Sequence, residues 1–223
     1  MNIGVLVSGS GSNLQAIMDR CADGTIPGQV VVVISNKHGV LALDRARKGG
    51  IPTMVVDHDR YAGREAFEMA LADVLEQHAV ELICLAGFMR ILSHWFVRRF
   101  SGRVLNIHPA LLPAFPGLNV QKRAIEAGVR FSGATVHFVD DGVDTGPVVI
   151  QAVVAVLPDD DSQTLSARIL AQEHRIYSQA IRWYAQKRLR MVNGKVLLET
   201  RDGSEDNLSG EGGDKAWIYP PLS

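Results

Sequence analysis

The sequence contains only two cysteines, Cys21 and Cys84, and neither has a second cysteine near it. A disulfide scaffold needs paired cysteines, and structural zinc sites usually contain C-x-x-C pairs. The sequence therefore predicts neither kind of site. We expect two buried thiols that stay reduced in the cytoplasm.

Long apolar runs and an excess of one charge are also missing. No apolar stretch approaches the ~20 residues that a membrane-spanning helix needs, and the N-terminus lacks the basic start of a signal peptide. Lys and Arg total 23 against 24 Asp and Glu, so no basic surface favours a nucleic acid. We expect a cytoplasmic protein that acts on small molecules and binds neither membranes nor nucleic acids. For the oligomeric state, a monomer and a homodimer are both open.

Short apolar runs alternate with amphipathic segments through the first half of the chain. This alternation predicts an α/β fold: an open, mostly parallel, twisted sheet of about seven strands, with helices on both faces and a Rossmann-like N-terminal half. Antiparallel strands are predicted at 134–139 and 148–156, because the loop between them is too short for a crossover helix. A long helix (164–187), a hairpin at Asn193-Gly194 and a loose polar tail follow. The predicted strands that precede these elements are 2–7, 30–34, 53–56, 82–85 and 104–107. Four helices are predicted between and after these strands: one that begins near Leu14, and three at 42–48, 64–77 and about 117–127.

A glycine-rich loop, Gly9-Ser10-Gly11-Ser12-Asn13, joins the first predicted strand to the first helix. An α/β sheet presents backbone N–H groups and a helix N-terminus to anions at this position. A dinucleotide site is disfavoured, since Leu14 replaces the third glycine and the second strand ends without an acidic residue. A P-loop and a hydrolase elbow also lack their required residues. A tight structural turn and a phosphate monoester site at Gly11, Ser12 and Asn13 remain.

The run Asn106-Ile107-His108-Pro109 ends the fifth predicted strand. A spacing of two puts Asn106 and His108 on the same side of a strand, at the edge where α/β sheets bind ligands. A histidine can transfer protons near neutral pH, and an asparagine amide can donate to a developing oxyanion. No serine or cysteine nucleophile adjoins them, so the pair suits a substrate that brings its own nucleophile. A structural asparagine and histidine would give the same pattern.

The loop between the last two predicted sheet strands contains Asp140, Asp141 and Asp144. It could be a solvated turn, a metal loop or the source of a carboxylate that stabilises a protonated His108. An EF-hand is excluded because the pattern is too short and lacks the final glutamate. The local sequence does not choose among the three aspartates.

The run from Asn106 to Pro113, followed by Phe115-Pro116-Gly117, resembles the signature of folate-dependent formyltransferases. The motifs at 133–139, at Asp144-x-Gly146-Pro147, at Ser8 to Leu14 and at Gln172-Glu173-His174 extend the resemblance over about residues 2–190. It implies transfer of a formyl group from 10-formyltetrahydrofolate, without a metal. The N-terminal loop resembles that of members that formylate glycinamide ribonucleotide.

The resemblance also implies roles for individual residues. Asn106, His108 and Asp144 would be catalytic, and Gly11, Ser12, Asn13 and Glu173 would bind the phosphorylated amine. The folate would contact Arg64, Met89, Arg90, Ile91, Leu92, Asp140, Asp141, Gly142 and Val143, with Leu85, Phe96, Val97, Val104 and Val139 around the pterin. The implied formyltransferase domain covers residues 1–200, as a phosphate-binding half (1–100) and a folate and catalytic half (101–200), with a tail at 201–223.

Two departures and two alternatives accompany this resemblance. Asn119 and Gln121 stand where many relatives have histidine or a similar residue, which leaves no auxiliary histidine there. A formyltetrahydrofolate hydrolase is expected to carry a regulatory domain before the first strand, and a methionyl-tRNA formyltransferase a further basic domain after the long helix. Outside enzymes, a folate or metabolite binder would not need the set Asn106, His108 and Asp144.

Overall fold

The computed structural model describes residues 1–199, 212–213, 216–220 and 222. The chain divides into two compact units. The first contains Met1–Asn106 with Val139–Asp141, and the second contains Ile107–Phe138 with Gly142–Ser223. Among the described residues, no helix is both long and apolar enough to cross a membrane.

The first unit contains a parallel sheet. Its strands lie in the order β5-β4-β1-β2-β3, and β5 continues into the second unit. Consecutive residues of β1 and β4 are buried, which indicates that both faces of this sheet are covered. The strands are β1 (Asn2–Val7), β2 (Gln29–Ser35), β3 (Thr53–Val55), β4 (Leu82–Leu85) and β5 (Val104–His108).

The helices of the first unit lie between these strands. The sequence does not predict α4 (His94–Arg99), because a helix of six residues is too short to show a helical hydrophobic period. The Ser93 side chain caps this helix by accepting a hydrogen bond from the Phe96 N–H at 3.4 Å. The helices are α1 (Ser12–Ala22), α2 (Leu41–Lys48), α3 (Arg64–Gln77) and α4 (His94–Arg99), with a 3₁₀ turn at His58–Arg60.

The second unit is built on antiparallel strands, as predicted. Strand β6 pairs with β7, and a hairpin of β8 and β9 turns at Asn193 and Gly194, both with positive φ. The fold class predicted from the sequence is thus confirmed. The elements are α5 (Val120–Glu126), β6 (Phe131–Phe138), β7 (Val148–Ala155), α6 (Ser162–Ala185), β8 (Leu189–Val192) and β9 (Lys195–Leu198).

The expectation of a loose tail is wrong for its described part. Ala216–Tyr219 forms β11, which pairs antiparallel with β7, and Gly212–Gly213 forms β10 beside it. Ile218 is buried, whereas Trp217 and Tyr219 are exposed. This alternation is the two-residue period of a strand with one covered face, and the polar residues before it hid the signal. Residues 201–211 of the predicted tail lie outside the described residues.

A partly buried ion pair holds the start of α6 to the end of β7. The Asp160 carboxylate, 2% exposed, accepts hydrogen bonds from Arg168 at 2.7 and 2.8 Å and from the Leu157 N–H at 2.8 Å. The Arg168 guanidinium holds the pKa of Asp160 well below its usual range. Arg168 also donates to the Ala155 carbonyl.

We expect Asp160→Asn to lower the free energy of unfolding by about 2 kcal/mol at pH 7, because it takes the counter-charge and one acceptor oxygen from the charged Arg168. A depressed folded-state pKa stabilises the protein above the unfolded-state pKa, near 4, and that stabilisation is lost as the pH falls below it. The difference between variant and wild type should therefore shrink below about pH 4. Urea unfolding at pH 7 and pH 3 measures it, with exposed Asp159→Asn as the control. An equal difference at both pH values would contradict this account.

Candidate active site

His108 lies at the end of β5 and is buried. Its Nδ1 is 3.3 Å from Asp144 Oδ2, and its Nε2 is 2.9 Å from the Phe115 carbonyl oxygen. Both neighbours are hydrogen-bond acceptors, and only a doubly protonated imidazole can donate to both. A protonated ring would therefore find an acceptor for each of its N–H groups, and that is the form that can deliver a proton.

Asp144 is the aspartate of the acidic loop that contacts His108. Its backbone has a φ of 56°, a left-handed conformation that aspartate tolerates better than most residues. The Gly117 N–H donates to Asp144 Oδ2 at 2.8 Å, on the same oxygen that faces His108. This donor holds the carboxylate in position beside the ring. Asp141, by contrast, contacts His94 in the first unit, with 2.6 Å between Oδ1 and Nδ1.

A second buried histidine, His137, also faces Asp144. Its Nε2 lies 3.7 Å from Asp144 Oδ1, and its Nδ1 is 2.9 Å from the Phe138 carbonyl oxygen. The sequence alone assigns His137 no role of its own. The only sign of it in the sequence is a histidine within a mostly apolar strand, a few residues before the acidic loop.

Thr135 on β6 holds the segment that follows β5. Its hydroxyl donates to the Ala110 carbonyl at 2.6 Å and accepts from the Leu112 N–H at 3.1 Å. Gln151 on β7 donates to the same hydroxyl and to the Leu112 carbonyl. These hydrogen bonds fix the backbone between His108 and Phe115.

Asn106 precedes His108 by two residues on β5 and is partly buried. Its Cα pairs with that of Leu85 on β4. Alternation along the strand puts the Asn106 and His108 side chains on the same side, as the sequence predicts.

The glycine loop has the predicted position between β1 and α1. Gly11 adopts φ 73° and ψ 31° immediately before the helix. A Cβ on Gly11 would lie 2.6 Å from Ala42 Cβ, so both its conformation and the close approach of α2 require glycine. Ser12 is the first residue of α1, and the Asn13 side chain is buried.

The predicted folate contacts of the first unit lie at the ends of its elements. Arg64 is the first residue of α3, and residues 89–92 follow β4. Met89, Arg90 and Ile91 are exposed, whereas Leu92 is buried. The Met89 N–H donates to the Ser8 hydroxyl at 2.9 Å, which ties this segment to the glycine loop. In the described chain no carboxylate pairs with Arg64 or Arg90.

The apolar residues expected around the pterin belong to the first unit. Leu85, Phe96, Val97 and Val104 are members of its hydrophobic core, and Val139 packs against it. Asp140 lies in this unit as well.

Gly142, Val143 and Glu173 lie in the second unit. A Cβ on Gly142 would meet the Thr145 side chain, which would have to move to admit a larger residue. Glu173 is buried on α6, and burial lowers the pKa of the adjacent His174. Asn119 has φ 55°, a conformation that suits asparagine and that histidine also visits.

One group of side chains in the described ranges has donor atoms close enough together to hold a metal ion. It consists of Asp57, His58 and Asp59, at the 3₁₀ turn of the first unit. None of the predicted catalytic or substrate-binding residues belongs to it.

The comparisons with known proteins agree on one family. The family model described as formyl transferase matches residues 1–181. The phosphoribosylglycinamide formyltransferase of Escherichia coli is 47% identical over 199 residues, which cover 89% of this chain and 94% of that protein. The trifunctional purine biosynthetic protein adenosine-3 of Drosophila melanogaster is 50% identical over 205 residues, but this chain spans only 15% of its length. The crystal structure of glycinamide ribonucleotide transformylase 1 from Symbiobacterium toebii has a TM-score of 0.88 at 50% identity, covering 89% of this chain and 93% of that one.

Proposed function

Because the chain belongs to the formyl transferase family, we propose that it transfers the formyl group of 10-formyltetrahydrofolate to the amine of 5-phosphoribosylglycinamide. The reaction would be one step of purine biosynthesis, in the cytoplasm. The observation that carries the proposal is the contact between the buried His108, which lies two residues beyond Asn106 on β5, and the partly buried Asp144.

His108 would act as the general acid. The substrate amine attacks the formyl carbon, a C–N bond forms, and the carbonyl oxygen gains negative charge. The bond from the formyl carbon to the folate nitrogen then breaks, and His108 gives its proton to that leaving nitrogen. The proton released by the attacking amine returns to the imidazole. The Asp144 carboxylate, held by the Gly117 N–H, stabilises the charged ring throughout.

Asn106 would stabilise the oxyanion. Its neutral amide can donate to the developing charge without competing for the proton that His108 transfers. The charged His108 ring adds to this stabilisation. No metal takes part in this scheme.

The phosphate of the acceptor would bind at Gly11, Ser12 and Asn13. The left-handed Gly11 allows the turn, and the first N–H groups of α1 have no partner within the helix. Glu173 would contact the glycinamide part, since a buried carboxylate can accept from an amide or ammonium group.

The folate would contact Arg64, residues 89–92 and residues 140–143, with Leu85, Phe96, Val97, Val104 and Val139 around the pterin. Guanidinium groups without a carboxylate partner suit the acidic glutamate end of a folate. In this proposal the formyltransferase domain covers residues 1–200, and residues 201–223 follow it as a tail. The enzyme would work as a monomer or homodimer on small molecules, and would bind neither nucleic acids nor membranes.

A direct assay tests the proposal. We expect purified protein to release tetrahydrofolate, followed by absorbance, only when both 10-formyltetrahydrofolate and 5-phosphoribosylglycinamide are present. Release without the amine would indicate a hydrolase. No release with both substrates, alongside saturable folate binding, would indicate a binder. Omission of each substrate in turn is the control.

A further inference from the structure

Helix α2 contacts two successive carbonyl groups of the glycine loop. The Ala42 N–H donates to the Gly9 carbonyl at 3.1 Å, and the Arg45 Nε–H donates to the Ser10 carbonyl at 2.9 Å. The carbonyl oxygens of residues 9 and 10 are therefore both turned toward the first turn and a half of α2.

A trans peptide points its C=O and its N–H in opposite directions. The two peptide units that α2 holds are trans, since the described cis bonds lie only at Leu112-Pro113 and Tyr219-Pro220. Their N–H groups, those of Ser10 and Gly11, must therefore point away from α2. No acceptor for either N–H is found in the described part of the chain. Two adjacent N–H groups with a shared direction form a concave donor site of the kind that binds anions.

Arg45 differs from its neighbour Arg47 on the same helix. Arg47 is exposed and donates to Asp44 at 2.9 Å. Arg45 is half-buried, contacts Ser10 and, at 3.5 Å, the Gln15 side chain, and has no carboxylate partner in the regions described. Its charge is therefore not neutralised by an ion pair, and it lies directly behind the glycine loop.

We propose that Arg45 is the positioning residue of the phosphate site: it orients the Ser10–Gly11 peptide so that its N–H faces the substrate phosphate. This rests on the proposed function, in which that loop holds the phosphate of 5-phosphoribosylglycinamide. In this role Arg45 would act through its contact with the loop and would not itself bind the phosphate. It also adds a positive charge behind the donors, which favours an anion in front of them.

The test separates a positioning role from a structural one. Loss of one charge-assisted hydrogen bond typically weakens binding about tenfold, so we expect Arg45→Ala to raise the KM for 5-phosphoribosylglycinamide by about that factor. The kcat and the KM for 10-formyltetrahydrofolate should change by less than about twofold, because neither depends on the phosphate donors. Arg45→Lys should recover part of the loss, since an ammonium can still donate to the Ser10 carbonyl.

Two comparisons complete the experiment. Arg47→Ala removes the same charge from the same helix and should leave both KM values unchanged. With the dephosphorylated acceptor, glycinamide riboside, kcat/KM should be the same for wild type and Arg45→Ala. Equal KM values for Arg45→Ala and Arg47→Ala would overturn the inference, and so would an equal loss on both acceptors. If the wild-type protein forms no formylated product at all, the proposed function fails instead.

Discussion

We expect His108→Ala to lower kcat by roughly 10²- to 10³-fold, because it removes both the proton donor and one stabiliser of the oxyanion. Asn106→Ala should cost a similar factor through loss of the neutral donor. The effect should fall on kcat more than on either KM, since both side chains act on charge that develops in the transition state. Steady-state kinetics with each substrate varied in turn measures the split.

Asp144→Asn tests whether the charge of the Asp144 carboxylate supports the action of His108. The amide keeps the shape but loses the charge that stabilises the protonated ring, so kcat should fall. His38→Ala, an exposed histidine of the first unit, is the matched control and should leave kcat unchanged. Near-native turnover by either His108→Ala or Asn106→Ala would show that the catalytic assignment is wrong, provided that the thermal unfolding curve matches the wild type.

Gly133→Ala is expected to destabilise the fold by about 3 kcal/mol or more, the upper end of the range seen when a core must accommodate an added atom. A Cβ at this position would clash with the Ala152 carbonyl oxygen and would lie 2.8 Å from Leu111 Cδ2. The carbonyl belongs to β7, whose pairing with β6 fixes it in place, so the clash can be relieved only by breaking the ladder. Because β6 carries Thr135 and His137, activity should be lost with the fold.

Urea unfolding and the soluble yield measure this loss of stability. Ser132→Ala on the same strand is the matched control, because the buried Ser132 hydroxyl has no hydrogen-bond partner in the described structure. Its removal should change the free energy of unfolding by less than about 1 kcal/mol. A Gly133→Ala protein with the urea midpoint of the wild type would contradict the close contact between β6 and β7.

Hydrophobic periodicity predicted most of the fold, since burial follows directly from it. Helix α3 and strand β4 begin and end where the sequence predicts, because each has a clear apolar pattern and polar or glycine neighbours. Periodicity failed where an element is short or isolated. Helix α4 has only six residues. Strand β11 follows a long polar segment, and its partner β7 lies more than sixty residues earlier in the chain, so no local pattern could predict their pairing.

The candidate site shows the same division. The sequence by itself determined that Asn106 and His108 share one side of a strand end, because alternation is a property of the local backbone. It could not choose among Asp140, Asp141 and Asp144, which look alike within their loop. Only the tertiary structure brings Asp144 to His108, and it adds His137, because such contacts join residues that are distant along the chain. In the same way, the glycine loop was evident from its composition, but the carbonyl contacts of Ala42 and Arg45 that orient it arise only when α2 packs behind it.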